Sequence, residues 1–290
     1  MVSLPMPVLT PETIVSLGAA MPPSLQVYGR LGRLLEEPDT DLDAVVDVVR
    51  VDHTLTFQVI RLSNSVMYGL RHRSESLEEA VGMVGFEEIR RIVGLAAAQR
   101  MIQGDLAHFP ITAAQLWQNS VATAAAMSAL ARHAGRDMGA AYAAGLLRNV
   151  GRIVLDTVRG GAIHPGLAEM GDLAAWEREH YGQTSADVSA VLLDHWRFSI
   201  EMVEAVHWHL EPAEAQMGAT GAHLLNLACG IAEQIGAALP GESMHWAVTP
   251  EKLERAGVTA EHCAACAEQT RAELERVTEA VKQGDFGAAS

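Results

Sequence analysis

Residues 76–101 read SLEEAVGMVGFEEIRRIVGLAAAQRM, and this stretch carries the reading of the fold class. Ser76 stands before Leu-Glu-Glu79, a hydroxyl followed three residues on by a carboxylate. That pattern satisfies orphan N–H groups at the start of a helix. Gly85 suits a left-handed close to the short helix, since no Cβ opposes a positive φ. A longer helix is then predicted from about Phe86 to Met101.

The same punctuation recurs on both sides. Upstream, Pro22-Pro23-Ser24 opens a segment with Leu25, Tyr28, Leu31, Leu34 and Leu35 at helical spacing. Asp41 or Asp39 starts the next, with Leu42, Val45, Val46 and Val49 on one stripe, and Asp52 precedes a third. Downstream, Thr112 caps a long helix ending near Gly135, and two shorter pieces flank Gly151 between Gly145 and Val158. A helix ends at Gly182; Thr184 and Ser199 start the next two; another fills about Gly218 to Ala238. Thr249-Pro250 puts a hydroxyl at the N-cap and proline at the first helical position, and Thr259 opens a terminal helix closing near Gly284. Strand-like alternation is scarce, and no fixed-period repeat is visible. The predicted class is all-α, a multi-helix bundle with two helical lobes.

Composition bounds the function. Of 290 residues, 49% are apolar and 5% aromatic, a mixture that favours helix. No apolar run approaches the roughly 20 residues that cross a bilayer, and Met1 to Thr10 lacks the pattern of a secretion signal. Three cysteines, Cys229, Cys263 and Cys266, fit a reducing compartment, so a cytoplasmic location is expected. The formal charge of −15 repels phosphate backbones and anionic headgroups, which argues against nucleic-acid and membrane partners. The short basic runs, Arg71 to Arg73 and Arg90-Arg91, are expected on solvated helix faces.

Several blocks in order resemble the HDOD domain family. They include Met21-Pro22, Glu37-Pro38-Asp39, Asp52-His53 and Leu62-Ser63-Asn64-Ser65, then SLEEAVGMVGFEEIRRIVG (76–94) and LWQNSVATA (116–124). YAAGLLRNVGRIVL (142–155) and the stretch from His180 to Pro212 complete the match. The resemblance implies a bacterial regulatory or scaffolding module, related to metal-dependent HD phosphohydrolases but typically short of their metal ligands. It places residues 1–20 as an extension and 21–215 as the domain, with lobes at about 21–105 and 110–215. Residues 216–290 would complete the same domain as C-terminal helices.

The resemblance also locates the metal site of the catalytic relatives. Their Gly-Leu-Leu-His-Asp-x-Gly stands here as Gly145-Leu-Leu-Arg148-Asn149-Val-Gly151. Arginine offers five donors and no acceptor, whereas a divalent ion needs imidazole or carboxylate ligands. Asn119 stands where a histidine follows the tryptophan, Ser185 where Gly-x-x-His is expected, and His209 alone remains of paired histidines before Pro212. No metal and no cofactor are therefore expected. Asn119, Arg148, Asn149, Ser185 and His209 become the residues of a vestigial, ligand-binding pocket. Arg148 either faces solvent at a helix end or fills the ion's place beside a carboxylate, for which Glu177 is a candidate by position.

Other clusters read as structural. His207 and His209 point to different faces of a helix and cannot readily share an ion. His262-Cys263-x-x-Cys266 is half a zinc site with no signalled second half, and buried small residues on an Ala-rich helix explain it. Asp156, Asp187, Asp194 and His195 suggest local capping and pairing in place of acid–base work. Tyr28, Met67 and Tyr68 are partner-contact or core residues. The expected function is a non-catalytic signalling module that binds a protein partner or a small ligand. Its rivals are a phosphohydrolase with a rearranged site and a cyclic-dinucleotide sensor in which Arg148 grips a phosphate.

Overall fold

The computed structural model describes residues 9–65, 72–158 and 171–282, and among them regular structure is helical with no strand. Met67, Tyr68, Gly69, Arg71 and the expected helix close at Gly284 lie outside the described residues.

The chain divides into two compact units. The smaller holds α2 (Ser24–Leu35), α3 (Leu42–Arg50), α4 (His53–Ser63), α5 (Leu77–Val84) and α6 (Phe86–Met101), joined by residues 271–282. Its helix starts are those the local chemistry dictates. The Asp41 carboxylate accepts from the Ala44 N–H at 2.8 Å and the Asp52 carboxylate from the Leu55 N–H at 3.0 Å. At α5 the cap differs from the reciprocal pattern expected. Ser76 accepts from the Glu79 N–H, but the Glu79 carboxylate reaches one residue further back, to the Glu75 N–H at 2.7 Å. Gly85 closes α5 at φ 81, ψ 166, a glycine conformation outside the left-handed helical well. Arg90 does not sit on a solvated face: it is buried, while Arg91 pairs with Glu88 and Glu273. Tyr28 is buried against α6, where Gly94 leaves room for its ring.

The larger unit holds residues 9–21 and 102–270. Its helices are α1 (Pro11–Gly18), α7 (Ala113–His133), α8 (Met138–Leu147), α9 (Val150–Asp156), α10 (Leu173–Tyr181), α11 (Ser185–His195), α12 (Ile200–His207), α13 (Ala219–Gln234) and α14 (Pro250–Ala256), with the first part of α15 (Ala260–Lys282). Residues 1–20 were expected as an extension, yet α1 packs against α9 and α11 within this unit. The sequence from 216 divides as well, since residues 271–282 cluster with the smaller unit.

Two backbone features shape the centre of this unit. The break between α8 and α9 falls at Arg148–Asn149, not at Gly151; Asn149 leaves helical geometry at φ −90, ψ 2. Gly151 lies inside α9 and serves contact instead: a Cβ there would meet the Ser185 carbonyl and the Ser189 amide nitrogen at 2.5 Å. Gly145 does the same for α8, where a Cβ would stand 2.7 Å from the Ala124 backbone of α7. α13 ends earlier than predicted, at Gln234, because Gly236 turns the chain at φ 90.

Candidate functional site

The break at Arg148–Asn149 aims two polar side chains into an apolar interior. Leu146, Leu147, Val150 and Leu155 around them are buried, as are the two polar residues themselves. Burial of an unpaired guanidinium is strongly unfavourable, so partners must be present. They come from five further elements.

Arg148 donates through Nη2 to the Asn119 side-chain oxygen on α7 at 2.7 Å and to Glu242 Oε2 at 2.9 Å. Its Nη1 lies 3.2 Å from His209 Nε2, and its Cζ lies 5.9 Å from the centre of the Trp246 ring. Arg152, one turn on in α9, donates to Glu242 Oε1 at 2.8 Å and through Nε to Glu177 Oε1 at 3.1 Å. Glu177 on α10 also accepts the Ser185 N–H at 2.7 Å, and Ser185 Oγ receives Arg152 Nη2 at 3.1 Å. Asn149 donates to Asn119 at 3.0 Å.

The structure thus brings Asn119, Arg148, Asn149, Ser185 and His209 into one buried network. Arg148 does not face solvent, and its carboxylate partner is Glu242; Glu177 pairs with Arg152 instead. Glu177 sits where it reaches α9 one turn beyond Arg148, next to the Ser185 amide that starts α11. Sequence reasoning missed Arg152 and Glu242. For Arg152 a signal existed: two arginines four apart within GLLRNVGRIVL share a helix face. Glu242 carried none, because it sits in the connector between α13 and α14. That connector is tied down by Leu173 N–H to Gly241 O at 2.9 Å, Asn119 to Ala237 O at 2.8 Å, and Asn226 to His245 O at 3.1 Å.

Protonation follows from this geometry. Burial would raise Glu242, but the guanidiniums of Arg148 and Arg152 beside it bring its carboxyl down to about 2. His209 is pushed down to about 3, by burial first and by Arg148 second. Its Nδ1 lies 2.6 Å from the Val206 carbonyl, which assigns the proton to Nδ1 and leaves Nε2 as an acceptor for Arg148. Burial raises the Glu177 carboxyl, yet both its oxygens accept N–H bonds, from Arg152 and from Ser185, as a carboxylate does; two cations thus face two anions, with a neutral imidazole beside them.

This donor set does not fit a divalent cation. Both carboxylates are engaged by guanidiniums, the one imidazole lone pair is turned to Arg148, and the remaining groups are amides and a hydroxyl. Among the described residues no three His, Cys, Asp or Glu side chains gather as metal donors. His207 points elsewhere, to Asp187 at 2.9 Å. Asp187 completes the cap of α11 with Thr184, and Asp156 accepts the backbone N–H groups of Ala107 and His108. Cys266 is buried and Cys263 partly so on α15. A cavity of about 170 Å³ in the same unit, lined by Met127, Ala144, Met202 and Leu224, involves none of the network residues. Among the described residues no helix is long and apolar enough to cross a membrane.

Comparison with known proteins places this geometry in context. The model of the HDOD domain family matches residues 21–212. A solved structure from Marinobacter aquaeolei VT8, provisionally named a signal transduction protein, has a TM-score of 0.74 at 22% identity, covering 99% of this chain and 64% of that one. A provisionally named phosphohydrolase from Shewanella amazonensis SB2B has a TM-score of 0.66 at 20% identity, covering 92% of this chain and 97% of its own. An HDOD domain protein of unknown function from Geobacter sulfurreducens gives 0.62 at 19%, covering 94% and 95%. These likenesses establish the fold. A curated but uncharacterized protein of Treponema pallidum (strain Nichols) is 25% identical over 188 residues, 61% of this chain. This chain spans only 35% of the length of that relative.

Proposed function

Because the chain belongs to the HDOD domain family, a group related to the HD phosphohydrolases, we propose that it is a non-catalytic regulatory module of bacterial signalling. It acts by binding a protein partner or a small ligand, and its HD pocket is degenerate. The observation that carries this reading is the buried pairing of Arg148 and Arg152 with Glu242 and Glu177. Hydrolysis by the catalytic relatives depends on a metal-activated water, which needs ligands free to hold the ion. Here the His-Asp position is Arg148-Asn149, and the nearby carboxylates already neutralise guanidiniums. Positive charge is supplied by the chain itself, and nothing in the network generates a nucleophile. The acidic surface favours a partner with a basic face. Two buried guanidiniums are also the chemistry that holds a small oxyanion.

Elemental analysis of protein purified without chelator or metal-affinity tag tests the reading, alongside a phosphodiester hydrolysis assay. The expected result is no stoichiometric transition metal and no turnover. A stoichiometric metal accompanied by hydrolysis would overturn it.

A further inference from the structure

Glu242 lies apart in the chain from the rest of the network. Asn119, Arg148, Arg152, Glu177, Ser185 and His209 all fall within residues 21–212 matched by the family, whereas Glu242 lies beyond them in the α13–α14 connector. Without it, the described network residues hold two buried guanidiniums, Arg148 and Arg152, against one carboxylate, Glu177, which faces Arg152. His209 adds no charge. The guanidinium pair therefore carries surplus positive charge, and the anion that balances it, Glu242, is supplied in cis.

The way Glu242 sits there is that of a bound ligand. Its two oxygens are shared between Arg152 Nη2 at 2.8 Å and Arg148 Nη2 at 2.9 Å, the arrangement in which paired guanidiniums take carboxylates and phosphates. The match is incomplete. Arg148 is 2% exposed, yet among the described residues its Nε has no hydrogen-bond partner. A buried donor left unmade is costly, and a carboxylate has no third oxygen to offer it. A phosphoryl group has.

We propose that this guanidinium pair forms an oxyanion site for a phosphoryl group, and that Glu242 is its built-in competitor. This rests on the non-catalytic reading of the pocket and adds the ligand class. A phosphoryl group enters by displacing the Glu242 carboxylate, keeps both guanidinium contacts, and brings an acceptor for Arg148 Nε. Displacement also frees the connector that Glu242 helps to pin.

The test uses the full chain as wild type, Glu242→Ala and Glu242→Gln. Each is titrated with inorganic phosphate, with formate, and with a nucleoside monophosphate, against sodium chloride at equal ionic strength, and followed by calorimetry and thermal unfolding. Inorganic phosphate should bind the variants saturably and raise their Tm above the chloride control. Formate should do so more weakly, and the wild type should bind phosphate at least about tenfold less tightly because its site is already filled. Adding Arg148→Met to Glu242→Ala should abolish the effect. Binding of the nucleotide as well assigns the site to phosphomonoesters; binding of inorganic phosphate alone assigns it to the free ion. If neither variant folds in chloride, refolding in phosphate decides: recovered helix supports the site, and no recovery overturns it. Phosphate acting no differently from chloride on folded, metal-free variants sinks this proposal and leaves the non-catalytic reading standing. Stoichiometric metal with turnover in the wild type sinks that reading instead.

Discussion

Removing Arg148 probes the centre of the larger unit most directly. The Arg148 and Glu242 side chains are 1% and 3% exposed and 2.9 Å apart, so solvent screens their charges little. Together with Arg152 and Glu177 they form a balanced set of two positive and two negative groups. Arg148→Met keeps most of the volume but leaves two carboxylates facing one guanidinium. Glu242→Gln keeps the shape but leaves two guanidiniums facing one carboxylate. Stranding a buried charge in this way costs about 3–5 kcal/mol. At roughly 2–4 °C per kcal/mol for a unit of this size, each single change should lower Tm by about 6–20 °C. The double variant leaves the balanced Arg152–Glu177 pair and should cost less than the two singles combined, by about 1–3 kcal/mol. Urea unfolding of all four proteins, followed by far-UV circular dichroism, completes the cycle. Strict additivity, or single variants within about 0.5 kcal/mol of wild type, would refute the claim that these charges form one buried unit.

Other consequences follow from the same packing. His209 is neutral when folded, with its pKa depressed from 6.5 to about 3, and Glu242 is depressed from 4.5 to about 2. In both cases the unfolded chain binds protons first. Stability from His209 is complete above its unfolded pKa and falls as pH drops from 6.5 towards 3; that from Glu242 is lost between 4.5 and 2. Urea unfolding across this range should show the decline, and His209→Gln should flatten its upper part. Gly151→Ala drives a methyl into the α11 backbone and should destabilise by about 3 kcal/mol or more in urea unfolding, whereas Gly32→Ala, where a Cβ meets nothing among the described residues within 4 Å, should be neutral or stabilising in the same assay. Burial pushes the Cys229 thiol up to about 12, so maleimide labelling of the native protein should modify Cys263 and spare Cys229. Thr184→Ala removes the reciprocal cap of α11 and should cost about 1 kcal/mol in urea unfolding.

What was legible in the sequence was local. Asp41, Asp52, Thr112, Thr184, Ser199 and Thr249 cap the helices they were expected to start, because a cap is decided within three residues. The gathering of Asn119, Arg148, Asn149, Ser185 and His209 was legible through block order, since a shared fold fixes which helix ends meet. The partner of Arg148 was not. Glu177 and Glu242 are both acidic residues near a helix end or turn, and only the three-dimensional path of the connector decides which guanidinium each reaches. The misplaced helix break has a similar cause: Gly151 reads as punctuation in one dimension but acts as clearance for α11 in three.

The separation of Arg148 and Glu242 also sets an order of events during synthesis. Glu242 follows Arg148 by 94 positions, an interval of roughly 5–20 s at ribosomal elongation rates. Glu177 follows Arg152 by only 25 and emerges much sooner. In the last part of that interval, once α12 is complete, the nascent chain carries every helix from α7 to α12 with a surplus positive charge at the point where they converge. Tight closure of that centre must wait for the last counter-charge, so the larger unit locks late, when the connector after α13 leaves the ribosome and delivers its carboxylate.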